Sequence, residues 1–199
     1  MVSRLTPETL VYGLASANDP QISPDGEWIV YSLSRNDPET KKGGSQLWLC
    51  RRDGSGARQL TFAGTSNGLA RWSPDGRSIA FVSNRDKKES ALFLLSLDGG
   101  DPRKLATYKL GVGEPAWSRD GSQIAFTAVI DPEHPDDEKN DDDAPEPIKI
   151  TSRIDYKQDT RGYLAEKRGQ IVIHDLATGE NRQLTSGSGE HAAPRWSPD

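Results

Sequence analysis

The chain has 199 residues, 33% of them hydrophobic, with 13 prolines, 19 glycines and one cysteine. That length carries one domain with a real core, and the proline and glycine content points to the many turns of an all-β fold. Cys50 alone excludes a disulfide framework or a multi-cysteine zinc site, and no apolar run approaches the roughly 20 residues of a membrane-spanning helix. The net charge of −5 sits in one place: residues 131–147, "DPEHPDDEKNDDDAPEP", hold nine acids and one lysine, a net of −8, which leaves −5 − (−8) = +3 for the rest. Such a body offers no basic surface for nucleic acid.

The chain opens "MVSRLTPETLVYGLASANDP". It lacks the basic start and apolar core of a secretion signal, so a cytoplasmic protein is expected, with no membrane partner. Residues 1–18 read as a lead-in with a short helical segment. From residue 19 the sequence repeats. Ser23, Ser73, Ser118 and Ser197 stand in "QISPDG", "RWSPDG", "AWSRDG" and "RWSPD". A second mark, "RQL" or "RKL", ends at Leu60, Leu105 and Leu184, and the distance to the next serine is 73 − 60 = 118 − 105 = 197 − 184 = 13. A third mark, at Leu47, Leu92 and Ile171, opens "LWLC", "LFLL" and "IVIH"; it follows its serine by 24, 19 and 53 residues, so the length variation falls in one connection.

Each unit of about 45 residues holds four short strands, which in the second copy are "LARWS", "SIAFVS", "ALFLLSL" and "RKLA". Ser-Pro-Asp-Gly joins the first two as a type I turn, and Asp53-Gly54, Asp98-Gly99-Gly100 or "ATGE" at 177–180 joins the last two. The second strand is continuously apolar ("WIVY", "IAFV", "IAFT"), which requires cover on both faces. Four-stranded units covered on both faces are blades of a β-propeller. The expected fold is an all-β partial propeller. Its blades lie at about 19–61, 69–106 and 114–185, and residues 194–199 begin the next one. The chain stops in that fourth copy, so it is expected to be a fragment whose unpaired blade edges favour self-association into a homo-oligomer.

The tryptophans Trp72, Trp117 and Trp196 share one repeat position and read as structural, as do Trp28 and Trp48 on strands; Cys50 reads as a small buried hydrophobe. The stretch "DDEKNDDD" has carboxylates but lacks the glycine of a calcium loop, and reads as a solvated loop within the third blade. His134, His174 and His191 read as solvated or packed side chains, and nothing in the sequence joins Ser188, His191 and Asp199 into a triad.

The Ser-Pro-Asp-Gly turn, the Leu-Thr after the fourth strand (Leu60-Thr61, Leu184-Thr185) and the opening "TPETL…DPQISPDGEWIVY" resemble the N-terminal propeller of the prolyl oligopeptidase family of serine peptidases. The resemblance is greatest to its acylaminoacyl-peptidase and dipeptidyl-aminopeptidase branch. The segment from Ile150 to Thr185 is similar to that branch as well. Arg153, Tyr156, Asp159, Gly162 and Tyr163 stand where members carry Arg-x-x-Tyr and an acidic-then-Gly-Tyr step, although the usual Asp-Gly is stretched here to Asp-Thr-Arg-Gly. TolB-type propellers share the blade motif.

The resemblance implies an α/β-hydrolase domain after the propeller, carrying a Ser-Asp-His triad that cleaves short or acylated peptides without a cofactor, while the propeller restricts entry. Gly-x-Ser-x-Gly occurs once, at Gly64-Thr65-Ser66-Asn67-Gly68, in the passage between the first two repeats rather than in the strand-to-helix setting of that domain's nucleophile elbow, so it does not read as the catalytic serine. The catalytic domain is therefore expected beyond residue 199, and the chain by itself is expected to do no chemistry. Its implied partners are its own C-terminal hydrolase domain and short peptides. Arg153 and Tyr156, in an insertion the fold does not require, are the candidate substrate-binding residues, because a guanidinium suits a peptide carboxylate bidentately. The alternative is a TolB-type or other protein-binding propeller with no enzyme attached.

Overall fold

A computed structural model describes residues 6–86, 89–131, 157–158, 162–163 and 167–198. The lead-in forms helix α1 (Pro7–Tyr12). Thr6 caps it by accepting from the Thr9 amide at 3.2 Å, and Pro7 occupies the first turn, where a missing N–H costs nothing. No residue of α1 is buried. The first strand starts at Ala15, inside the segment expected to be lead-in.

Three four-stranded antiparallel sheets follow among the described residues. The first is β1 (Ala15–Ile22), β2 (Trp28–Asn36), β3 (Gly43–Arg51) and β4 (Arg58–Gln59). The second is β5 (Asn67–Trp72), β6 (Ser78–Ser83), β7 (Ala91–Ser96) and β8 (Arg103–Thr107). The third begins with β9 (Ala116–Trp117) and β10 (Gln123–Ile130). It is interrupted by a separate pair, β11 (Lys157–Gln158) and β12 (Gly162–Tyr163), and resumes with β13 (Arg168–Asp175) and β14 (Asn181–Gln183). Each sheet is a meander, as expected of a propeller blade.

The core lies between blades. In β6, Ile79 and Phe81 face the first blade's Val30, Leu47 and Leu49, while Ala80 and Val82 face the third blade's Ile124, Phe126 and Val172. This is why the strand is apolar without alternation: both of its faces are dry, and β13 is buried along seven of its eight residues for the same reason. The first blade's outer face is open, whereas the third blade's is covered around Ile171 and Ile173 by the segment that carries Trp196. Ile22, at the position the tryptophans occupy in later blades, is 66% exposed, and Leu184 is 55% exposed where Leu60 and Leu105 pack against core. Cys50 is only half-buried, a departure from the expected burial, since it pairs with Ile29 on the first blade's uncovered flank.

The meander gives each blade two ends. The Ser-Pro-Asp-Gly and Asp-Gly turns share one end, here the turn face. The β2–β3 type loops and the passages between blades share the other, the loop face. Helix α1 sits on the loop face, where Asn36 Nδ2 donates to the Val11 carbonyl at 3.0 Å. Ile130 pairs with Arg168, so the long insertion of the third blade leaves and rejoins at one point on that face.

Residues 194–197 form no strand, contrary to expectation. Among the described residues no strand pairs with them, although they already hold the inner-strand position described next.

Candidate functional site

The inner strands of the fan carry a site built from repeat geometry. The turn serine, aspartate and glycine form one network three times. Ser23, Ser73 and Ser118 donate Oγ–H to Asp25, Asp75 and Asp120 at 2.5, 2.6 and 2.7 Å. The same Oγ accepts the amides of Trp28, Ser78 and Gln123, each at 2.9 Å. Gly26, Gly76 and Gly121 close the turns at φ 76°, 71° and 73°, which a side chain disfavours. The serine hydroxyl and the Glu27 amide hold the Asp25 carboxyl below its ordinary value, as the Ser73 hydroxyl and Arg77 amide do for Asp75 and the Ser122 amide and Ser118 hydroxyl for Asp120.

Beside each turn, an indole reaches back one blade. Trp72 Nε1 donates to the Gln21 carbonyl at 3.0 Å, Trp117 to Arg71 at 3.0 Å, and Trp196 to Ala116 at 2.9 Å. Donors stand one residue before their serine and acceptors two before theirs. The shared tryptophan position is therefore a clamp between neighbouring blades, and the segment around Trp196 is held by it.

Four residues before the turn serine, the inner strand kinks. Asp19, Leu69 and Ala193 have φ 48°, 52° and 51°, and the register shifts between Asn18 and Gln21 and between Gly68 and Arg71. Left-handed conformation costs a non-glycine residue about 1–2 kcal/mol, so a kink taken up three times, twice as a bulge between paired strands, re-aims side chains for a reason. What it aims is a ladder of alternating charge across the blades. Arg71 Nη1 pairs with Asp19 Oδ2 at 2.8 Å, and Nη2 with Glu114 Oε1 at 2.6 Å. Arg195 Nη2 meets the same Glu114 oxygen at 2.9 Å. Partial burial works against the Arg71 charge, but the bonds to Asp19 and Glu114 outweigh it and raise its pKa. A cleft of about 540 Å³ lies along this wall, lined among others by Gln21, Trp72, Trp117 and Arg119.

The ladder contains no nucleophile–base pair. It can fix the spacing of the inner strands and the charge of the cleft wall. Sequence reasoning missed it, though a signal was present: counting back from the turn serines puts acids at the fourth position in the first and third repeats and arginines at the second position in the second and fourth.

Arg153 and Tyr156, the candidate substrate-binding residues, lie outside the described residues, as do His134, Asp199 and the run "DDEKNDDD". His174 is buried, with Nδ1 against Asn181 Oδ1 at 2.9 Å. His191 keeps a buried Nδ1 without a hydrogen-bond partner, so it activates no hydroxyl through that atom. Among the described residues no group of three His, Cys, Asp or Glu side chains could hold a metal ion, and no helix is long and apolar enough to cross a membrane.

No protein-family model matches the chain. It is 34% identical over 191 residues, 95% of its length, to the uncharacterized peptidase YuxL of Bacillus subtilis, of which it spans 29%. Its fold is similar to that of Pyrococcus horikoshii acylaminoacyl peptidase, with a TM-score of 0.65, 16% identity, and 89% of this chain matched to 26% of that one. It is also similar to TolB from Acinetobacter baumannii, with a TM-score of 0.56, 20% identity, and 87% of this chain matched to 33% of that one. The repeat, the blade geometry and the relative matched along nearly the whole chain support its being a segment of the N-terminal β-propeller of a prolyl oligopeptidase-family peptidase.

Proposed function

We propose that the chain is the substrate-restricting propeller segment of a serine peptidase that acts on short or acylated peptides in the cytoplasm. The hydrolase domain would lie in the remainder of the gene product. The observation that carries this reading is the 34% identity to a peptidase along 95% of the chain. In that role the ladder and the indole clamps hold the channel wall at fixed width, so that folded proteins are kept from the triad. Arg153 and Tyr156, in the third blade's insertion, would meet the charged end of the peptide. The likeness to TolB supports the second reading, a protein-binding propeller. A fluorophosphonate probe applied to the complete gene product separates the two. Labelling of one serine, together with hydrolysis of acyl-peptide substrates, is expected. A complete product that takes no label and cleaves no peptide would leave only the binding propeller.

A further inference from the structure

The sequence holds one Asn-Gly pair, Asn67-Gly68, at the start of β5. In an open chain such a pair deamidates. The Gly68 backbone nitrogen, giving up its proton, attacks Asn67 Cγ; the Cγ–Nδ2 bond breaks and ammonia leaves. Water then opens the resulting five-membered imide to aspartate or isoaspartate. Asparagine is among the thermolabile residues for this kind of reason.

Here Asn67 is 0% exposed, and its backbone and side-chain amide are engaged by Ser45 and Gln46 across the seam between the first two blades. Its side-chain Nδ2 faces three acceptors, the Ser45 carbonyl at 3.3 Å, Gln46 Oε1 at 3.0 Å and the Ala63 carbonyl at 3.0 Å. Its Oδ1 accepts from Arg85 at 3.4 Å. Its amide donates to Ser45 Oγ at 3.1 Å, and that hydroxyl donates back to its carbonyl at 2.9 Å. Ring closure needs Cγ to swing over the Gly68 nitrogen, and the bonds to the first blade hold it away. Gly68 itself is not required by space: a Cβ there would meet nothing within 4 Å, and its backbone is not left-handed. The reactive glycine can therefore be tested apart from the fold.

We propose that Asn67 is a latent deamidation site, sealed by the seam between the first two blades, whose conversion is an irreversible record of that seam having opened. Conversion replaces the donor Nδ2 with an acceptor facing three other acceptors, so the seam does not reclose as before. The inference is independent of peptidase activity.

The test is peptide mapping of the chain after incubation at mildly alkaline pH, with and without denaturant. Local opening being rare in the native state, conversion at Asn67 is expected to be at least about a hundredfold slower there than in denaturant. Ser45→Ala should raise the native rate by about tenfold through its lost seam bonds. Gly68→Ala should suppress conversion in denaturant while leaving the melting temperature unchanged. If Ser45→Ala does not fold, a denaturant series on the unaltered chain replaces it, and the conversion rate should follow exchange of the Ser45 amide, which donates to the Thr65 carbonyl at 2.9 Å beside Asn67 at the same seam. Equal native and denatured rates overturn the proposal. So does a native rate that ignores Ser45→Ala or seam opening, or undiminished conversion in Gly68→Ala.

Discussion

Replacing Arg71 with Met tests the ladder while keeping most of the aliphatic stem. In the folded chain Arg71 stands between Asp19 and Glu114, whose side chains are 27% and 21% exposed, and its own is 19% exposed. This is neither a solvated pair, worth up to about 1 kcal/mol, nor a sealed one, whose rupture costs about 3–5 kcal/mol. Removing the central cation also takes from Asp19 its bond to Arg71 and leaves Glu114 with Arg195, itself 63% exposed. A loss of about 2 kcal/mol follows, or about 4–8 °C in melting temperature for a chain of this size. Half of that loss should disappear in about 1 M salt, where screening acts over about 3 Å. Thermal unfolding followed by circular dichroism measures both, and the double variant with Glu114→Gln should lose less than the sum of the single losses. If Arg71→Met changes stability by less than about 0.5 kcal/mol at low salt, the ladder is ornament on a wall held by apolar packing and indoles alone.

Thr61→Val should cost about 1–3 kcal/mol, because Thr61 is 1% exposed and its hydroxyl both accepts the Leu47 amide at 2.9 Å and donates to Gln46 at 2.8 Å. Denaturant unfolding measures this, and an unchanged midpoint would mean the Leu47 amide finds another acceptor. Asp25, Asp75 and Asp120 have carboxyl pKa values held below the ordinary 3.8, so their turns stabilise the fold fully above that value and lose the contribution as pH falls through it toward the lower folded-state value. Melting temperature should therefore fall below about pH 4, and Asp75→Asn should flatten that fall; an unaltered acid slope in the variant would remove the turn from the account.

The blades were legible in the sequence because their causes are local. Ser-Pro-Asp-Gly specifies its turn within six residues, and the apolar run of β6 states that two faces are covered before either neighbour is known. The Leu-Thr mark was legible as a pattern but not as a mechanism. Thr61 and Thr185 bind the amides of Leu47 and Ile171, and in the second blade Ala106 stands in their place. The ladder was not read, because Arg71 meets residues 52 positions earlier and 43 later, and the bulge that aims Asp19 uses no glycine to announce itself. The expected strand at 194–197 failed for the opposite reason. Its residues are right, but a strand is a property of a pair.

The indole clamps run in one direction: each tryptophan fastens the blade before its own. A blade leaving the ribosome is thus complete in its own hydrogen bonds yet unsealed until the next blade's opening residues appear. The cooperative segment is offset from the visible sheet by one strand, running from one kink to just past the next tryptophan. Anyone dividing or splicing such a protein between sheets would sever a donor from its acceptor, and the natural places to cut lie one strand further along.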